Sequence, residues 1–494
     1  MNDSSTTLVE KISLKVIVAQ LFLCATLIFS YLIYPYYWLY IQQDTLIYIA
    51  CIFVLILTFW SFWSWYLLTK SLFDPYTLFL TAAVLFNGGQ AILEIFHLNE
   101  DGLLDSKFSS ETLLATLFIV NLGLAFLHLG ALLSASSTRT SILKSKLESQ
   151  STISNKLKSC YKVGWILFSI SILPAILVAR DAVQIAMNEG YSAFYQQERA
   201  TSFGAIPQIL ADFLIPGIFF LLVGSQGRRK GRRKDKIVCI AALLFHALSR
   251  LFLGVRNSAV MPFVVFTWLW HRWVHPIPRL FFFSMALLAL LIIFPITAAT
   301  REITGETRLS MDVLLDAFLS EDNPIIASIS EMGGSMMTVA YTLELVPNIK
   351  DFEMGTGYFN GILTLVPNLF WSLHPAVAHG YPDTWLAWEV NPTYAAKGHT
   401  YGFSFIAEAY LNFGWIGTPI ILGAIGFFLG KLTLWAVKSN EPARMAMVAS
   451  FTSFFLFYAR GAAVFMVRPL VWYSLIPYIT VYILNKYRRK EAVK

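Results

Sequence analysis

The chain has 494 residues, of which 56% are hydrophobic and only 14% charged, with a mean hydropathy of +0.61. Soluble domains carry about 25% charged residues, so this composition excludes an ordinary soluble globular protein and indicates a polytopic membrane protein. The net charge of +7 does not point to a nucleic-acid partner, because the basic residues cluster in short segments between apolar runs.

The first apolar run, about 14–34, is too long for a signal-peptide core and lacks a small-residue cleavage site, so it reads as a retained span. Further runs of spanning length fall at about 46–68, 76–96, 112–134, 162–179, 207–224, 237–254, 258–272, 280–299, 404–432, 445–459 and 469–485. That makes about twelve candidate transmembrane helices in an all-α protein; those at 258–272 and 445–459 are short, and the latter reads equally as a re-entrant segment. Tyr31, Tyr34, Tyr36, Tyr37, Trp38 and Tyr40 form an aromatic cluster suited to a membrane interface.

Basic segments set the orientation. GRRKGRRKDK (227–236) holds seven Lys or Arg in ten residues and belongs in the cytoplasm. Parity then places 135–161, the HRWVHPIPR turn, 433–444 and the KYRRKEAVK tail inside as well, and each is basic. Both termini are expected inside. The segment 97–111 falls outside and is acidic, with Glu100, Asp101, Asp105 and Glu111.

Three regions follow: 1–299 with nine spans, an outer loop over 300–404, and 405–494 with three spans. A loop of that length is expected to be functional rather than a connector. Within it, 309–319 has helical periodicity and 325–345 reads as an amphipathic segment interrupted at Gly333-Gly334. The stretch 359–373, broken by Pro367, is suited to lying flat at an interface. No internal repeat is evident. Cys24, Cys51, Cys160 and Cys239 fall mostly in apolar runs and imply no disulfide framework.

Arginine on the outer side runs against the usual bias. Arg180, Arg199, Arg256, Arg301, Arg308, Arg460 and Arg468 all fall at or just beyond outer span ends, and none of these positions holds Lys. Guanidinium binds phosphate bidentately and keeps its charge when partly desolvated, so an outward cavity ringed by arginines suits a phosphate-bearing lipid head group. The competing assignment is snorkelling, or ion pairing with Glu189, Glu198, Glu302 or Glu306.

The stretch GHTYGFSFIAEAYLNFGWIG (398–417) carries a carboxylate into an apolar run. As a helix from about Ser404 it places Ser404, Glu408 and Asn412 on one face. An ionisable residue in a span marks a functional candidate; the alternative is an interfacial charge on a helix that starts late. His374, His379 and His399 share the long loop with Asp383, but their spacing matches no metal motif, and no metal site or cofactor is expected. His246, mid-span, reads as a packed histidine. Gly426 and Gly430 read as a close helix contact. There is no P-loop, no strand-linked GxGxxG and no GxSxG elbow, so an enzyme of this kind needs a substrate activated by its own phosphate leaving group.

On these residues the chain resembles the Wzy-type O-antigen polymerases, or oligosaccharide repeat-unit polymerases. GHTYGFSFIAEAYLNFGWIG looks like that family's glycine-rich approach and E-x-Y-x-N-F-G helix, met here by Glu408, Tyr410, Asn412, Phe413 and Gly414. GVRNSAVMPF (254–263) is similar to its arginine-bearing turn. Arg180 and Gly190 only approximate a further arginine pattern, with nine rather than ten intervening residues.

The resemblance implies a membrane glycosyltransferase of GT-C-like architecture in the bacterial inner membrane, its large loop and active site facing the periplasm. It would polymerise undecaprenyl-pyrophosphate-linked oligosaccharide units into a surface polysaccharide without a metal. An O-antigen ligase and a lipid-linked-oligosaccharide flippase or transporter are the alternatives, although the missing repeat disfavours transport. Membrane lipid and a chain-length regulator are the implied partners.

Glycosyl transfer needs a base for the attacking hydroxyl and cations for the departing pyrophosphate. Glu408 is assigned as the base with His399 in reserve, and Arg256 joins them in the catalytic set. Arg301, Arg308, Arg460, Arg468, Arg180, Asn412 and Tyr401 make up the expected substrate-binding set. No sugar-binding pattern is legible in the outer loops.

Overall fold

The computed structural model describes residues 2–491 except 38–39, 138–149, 191–205, 228–231, 301–302, 306, 308–309, 314, 316–322 and 369–370. The described residues are helical and contain no strand, as expected of a polytopic membrane protein in which every backbone polar group must be satisfied within the chain.

Nine helices among the described residues are long and apolar enough to cross a membrane: Ser13–Tyr37, Gln43–Thr69, Pro75–Ile95, Ser110–Ser136, Ile153–Asn188, Ile206–Ser225, Arg279–Ala299, Phe405–Ser439 and Ala463–Tyr487. The other three expected spans are helices that fall short of this measure. Arg232–Phe252 opens on a charged turn, while Arg256–Leu269 and Pro442–Phe455 run on into Trp270–Val274 and Leu456–Arg460 and carry arginines near both ends, Arg256 and Arg272 in one and Arg444 and Arg460 in the other. Against the expected twelve, the described residues hold nine helices of spanning character.

The centre of the bundle is the pairing of Phe405–Ser439 with the Ser110–Ser137 helix, where Gly426 and Gly430 lie directly against Leu127 and Ala131. The small-residue pair is thus a packing device, as small residues commonly are between membrane helices. Several polar side chains inside the bundle have partners. Gln20 donates to the Ala125 carbonyl at 2.7 Å and accepts from the Trp60 indole at 2.6 Å. His128 lies between Ser64 (2.6 Å) and Tyr76 (2.8 Å), and His246 contacts the Ser258 carbonyl at 3.1 Å.

The connecting segments gather at two ends. At one, Thr112 donates to Glu344 (3.0 Å), Gln90 to the Ser330 carbonyl (3.3 Å) and the Gly305 N–H to the Met187 carbonyl (2.7 Å). At the other, Lys156 pairs with Glu441 (3.3 Å), Tyr161 meets Asp235 (3.4 Å) and Trp273 donates to the Val223 carbonyl (3.3 Å).

The long segment after residue 300 is largely helical where described. Pro324–Gly333 and Ser335–Leu345 meet at Gly334, and the second is buried through Met336, Val339 and Ala340 against the bundle. Thr356–Leu363 follows, with Phe359 and Ile362 exposed. Short helices Pro375–His379, Pro382–Val390 and Pro392–Ala396 then lead to Ser404, each with Pro in its first turn, where a missing N–H costs nothing. The expected helix over 309–319 lies mostly outside the described residues.

Candidate functional site

The helix Phe405–Ser439 is fixed at its start by Ser404. The Ser404 Oγ accepts from the Ile406 N–H (3.0 Å) and donates to Asn87 Oδ1 (2.5 Å), while its own N–H donates to Thr338 (3.0 Å). A Ser cap satisfies N–H groups that a helix start leaves unpaired. Two turns on, Asn412 donates to the Glu408 carbonyl (2.9 Å) and accepts from the Gly355 N–H (3.1 Å), clamping the 353–355 turn onto the helix. The helix breaks at Gly414, where φ 63° and ψ −158° are open only to glycine. The Ser-Glu-Asn spacing and the closing glycine therefore define a short rigid piece, residues 405–413, that ends in a designed break.

Between these two, Glu408 is enclosed at 2% exposure. Its Oε2 accepts from the Tyr458 hydroxyl at 2.9 Å, and the Ala463 N–H donates to both oxygens at 2.9 and 3.0 Å. Ala463 is the first residue of the helix Ala463–Leu470, so the carboxylate sits at a helix N-terminus, where the dipole favours negative charge. Burial, and next the Glu408 charge, hold the neighbouring Tyr358 phenol well above its ordinary range, so Tyr358 stays protonated. The space beside Glu408 is a slot of about 10 Å³ that also touches Glu353 and His379, room for a water and not for a sugar.

Tyr458 and Ala463 bracket Arg460. The turn Leu456–Arg460 carries this arginine, and Asn87 adds a third tie by donating to the Ala459 carbonyl at 3.0 Å. Gly402 lies hard against the Arg460 side chain, and any Cβ at that position would occupy the space of its guanidinium arm. The 398–417 stretch thus surrounds Arg460: Gly402 makes room for it, and Glu408 ties the chain on both sides of it, through the Tyr458 hydroxyl and the Ala463 N–H.

Arg460 opens onto a cleft of about 510 Å³ at the end of the bundle where the long segment packs. Arg256 and His399 share its lining with Glu331, Tyr381, Asp383, Trp388 and Tyr394. Arg256, at the first turn of Arg256–Leu269, is ion-paired with Glu331 and lies over the Phe294 ring at 5.4 Å. Arg460 lies over Phe86 at 5.8 Å. His399 stacks on Tyr394 with ring centroids 4.7 Å apart, and Tyr394 stacks on Tyr401 at 5.4 Å.

Of the residues expected from sequence, Arg256, Arg460 and His399 come together in this cleft. Glu408 and Asn412 lie behind it in the slot, and Tyr401 supports Tyr394 from the rear. Arg468 is turned away: its Nε donates to the Thr364 carbonyl at 2.5 Å and its guanidinium lies over Trp472 at 5.7 Å. Arg180 is exposed on the Gln150–Asn188 helix and is not part of the lining. Arg199, Arg301 and Arg308 lie outside the described residues. His374 caps the Pro375–His379 helix through Nδ1, which accepts from the Ala376 N–H at 3.1 Å. No group of three or more His, Cys, Asp or Glu side chains able to hold a metal is present among the described residues.

Sequence reasoning passed over Glu331, Tyr381, Trp388 and Tyr394, and weighed Asp383 only beside the loop histidines as a metal ligand. The signal was the aromatic density of YPDTWLAWEVNPTY (381–394), a run too polar for a span and too aromatic for a plain loop.

Compared with known families, residues 16–491 match the model for O-antigen polysaccharide polymerase Wzy. No curated protein and no solved structure matches the chain.

Proposed function

The chain belongs to the Wzy family of O-antigen polysaccharide polymerases, and from that premise we propose that it joins undecaprenyl-pyrophosphate-linked oligosaccharide units at the periplasmic face of the inner membrane, by glycosyl transfer that needs no metal. The observation that carries this reading is the convergence of Arg256, Arg460 and His399 on one cleft of about 510 Å³. Its orientation rests on charge: the cleft lies at the end opposite the segments that flank the basic run 227–236, which belongs in the cytoplasm.

In the proposed reaction a hydroxyl of the incoming repeat unit attacks the anomeric carbon of the growing chain. The new C–O bond forms as the bond from that carbon to the pyrophosphate oxygen breaks, and the electron pair leaves with the pyrophosphate. Arg256 and Arg460 stabilise the developing charge on the leaving group. His399, in the cleft and held by Tyr394, takes the hydroxyl proton on its unprotonated ring nitrogen. Glu408 acts at one remove, as a positioning residue that fixes the turn carrying Arg460. Glu331 is the resting counter-ion of Arg256 and is displaced when the pyrophosphate arrives.

The test uses purified protein in detergent with lipid-pyrophosphate-linked repeat units, a chelator and no nucleotide. A ladder of products differing by one repeat is expected, lost in Arg256→Lys, which keeps the charge but not the planar fork. A ladder that requires added divalent cation refutes metal independence. No ladder, with movement of the same lipid across a liposome bilayer, refutes the enzyme reading in favour of transport.

A further inference from the structure

The cleft lining combines arginines with aromatic, hydroxyl and carboxylate side chains, and a pyrophosphate accounts only for the arginines. Part of the rest comes from Pro382–Val390. One face of this helix is fixed in the core by Leu386 and Ala387, both fully buried. Trp385 is covered by Lys350, whose Nζ lies 4.4 Å from the ring centroid. Thr384 and Trp388, four residues apart and so on one face, line the cleft instead, beside Asp383. Trp388 is 51% exposed. Tyr381, packed on Phe465 at 5.0 Å, and Tyr394, held between His399 and Tyr401, complete the wall with rings that cannot turn freely.

We infer that Trp388, flanked by Asp383 and Thr384, is a saccharide-binding subsite that stacks one pyranose ring of the repeat unit. A pyranose has an apolar C–H face and a rim of hydroxyls. An open indole face matches the first, and a carboxylate with a neighbouring hydroxyl matches the second. A lipid chain matches neither, because it would set apolar surface against the polar side chains of Asp383, Thr384 and His399. Preset rings lower the ordering cost of binding a flexible glycan. This subsite rests on the polymerase reading for its ligand, and it places the sugar beside His399 and the leaving group against Arg256 and Arg460.

The probe is the free repeat-unit oligosaccharide, released by mild acid from the producing cell's own polysaccharide and carrying no lipid or phosphate. Its binding to the full chain in detergent is read by saturation-transfer NMR, in parallel with polymerisation of lipid-linked units. Saturable binding by wild type is expected, weakened about 10-fold in Trp388→Ala and largely kept in Trp388→Phe. The same alanine variant should raise KM with little change in kcat, and Arg256→Lys should bind the free oligosaccharide while losing polymerisation. Because Trp388 is half-exposed, an unchanged thermal transition checks that the alanine variant is folded. A wild type that polymerises, with a Trp388→Ala variant of unchanged KM and oligosaccharide affinity, overturns the subsite and leaves the polymerase reading standing. A wild type that neither polymerises nor binds the oligosaccharide overturns both.

Discussion

Replacing Glu408 by Gln or Ala separates a base from a positioning residue. In wild type two donors, the Tyr458 hydroxyl and the Ala463 N–H, converge on one buried carboxylate at 2.9 to 3.0 Å. A hydrogen bond to a charged partner is worth about 1.5–3 kcal/mol, so orphaning both in Glu408→Ala removes about 3–6 kcal/mol. Release of a buried charge offsets part of that, leaving a net loss on the order of 3 kcal/mol. Glu408→Gln keeps the volume and one acceptor oxygen, but its amide turns a donor toward a donor, so about half of the loss is expected. Thermal unfolding in detergent should therefore rank wild type above Gln above Ala.

The kinetic consequence runs through Arg460, because the two donors flank it. If Glu408 works by placing Arg460, Glu408→Gln and Arg460→Ala should be strongly non-additive. Once the guanidinium is gone, misplacing its turn has little left to remove. If Glu408 were the base, its loss would multiply that of Arg460→Ala. The measurement is the double-mutant cycle on kcat/KM with lipid-linked substrate. A Glu408→Gln variant with wild-type thermal stability, a turnover loss of about 100-fold or more, and additivity with Arg460→Ala refutes the positioning role.

His399→Ala should lower turnover by about 10² to 10⁴ with an unchanged unfolding temperature, since the ring is only part-buried; retained turnover removes it as the base. Glu331→Gln frees Arg256 from its ion pair and should lower KM for the lipid-linked substrate several-fold, whereas an unchanged KM shows that the pair does not compete with the substrate. Gly402→Val should leave the protein inserted and folded but cost most of its activity by displacing Arg460, and full activity in that variant refutes the close approach as the reason for glycine. Gly414→Ala places a Cβ at φ 63° and 3.2 Å from the Phe352 ring, so a loss of about 1–3 kcal/mol is expected, read as a lower unfolding temperature.

The membrane character of the chain was legible because hydropathy and basic-segment asymmetry report directly on the solvent a segment meets. Hydropathy alone does not say whether an apolar helix faces lipid or protein. Pro442–Phe455 is buried along nearly its whole length, so its apolar sequence answers to helix contacts. Arg279–Ala299 has the highest hydropathy of the nine and the smallest buried share, the signature of a helix facing outward. Two apolar runs of similar appearance thus satisfy different constraints.

The site divides along the same line. Arg256, Arg460 and His399 could be picked out singly, each from its own chemistry and position. Trp388, Tyr381 and Tyr394 acquire meaning only when the long segment folds back over the helix ends, a tertiary event with no periodic signature. The E-x-Y-x-N-F-G helix shows the converse. Its polar residues stand out by being in a span, and each is then found hydrogen-bonded within the protein: Ser404 to the helix-start N–H groups and Asn87, Asn412 to the 353–355 turn, Glu408 to the Ala463 N–H and the Tyr458 hydroxyl. A polar residue is as costly in a membrane span when it is structural as when it is catalytic, so sequence cannot separate the two. What joins them is the turn carrying Arg460, the arginine proposed to meet the pyrophosphate. Glu408 holds that turn from behind the cleft, through the Tyr458 hydroxyl before the arginine and the Ala463 N–H after it.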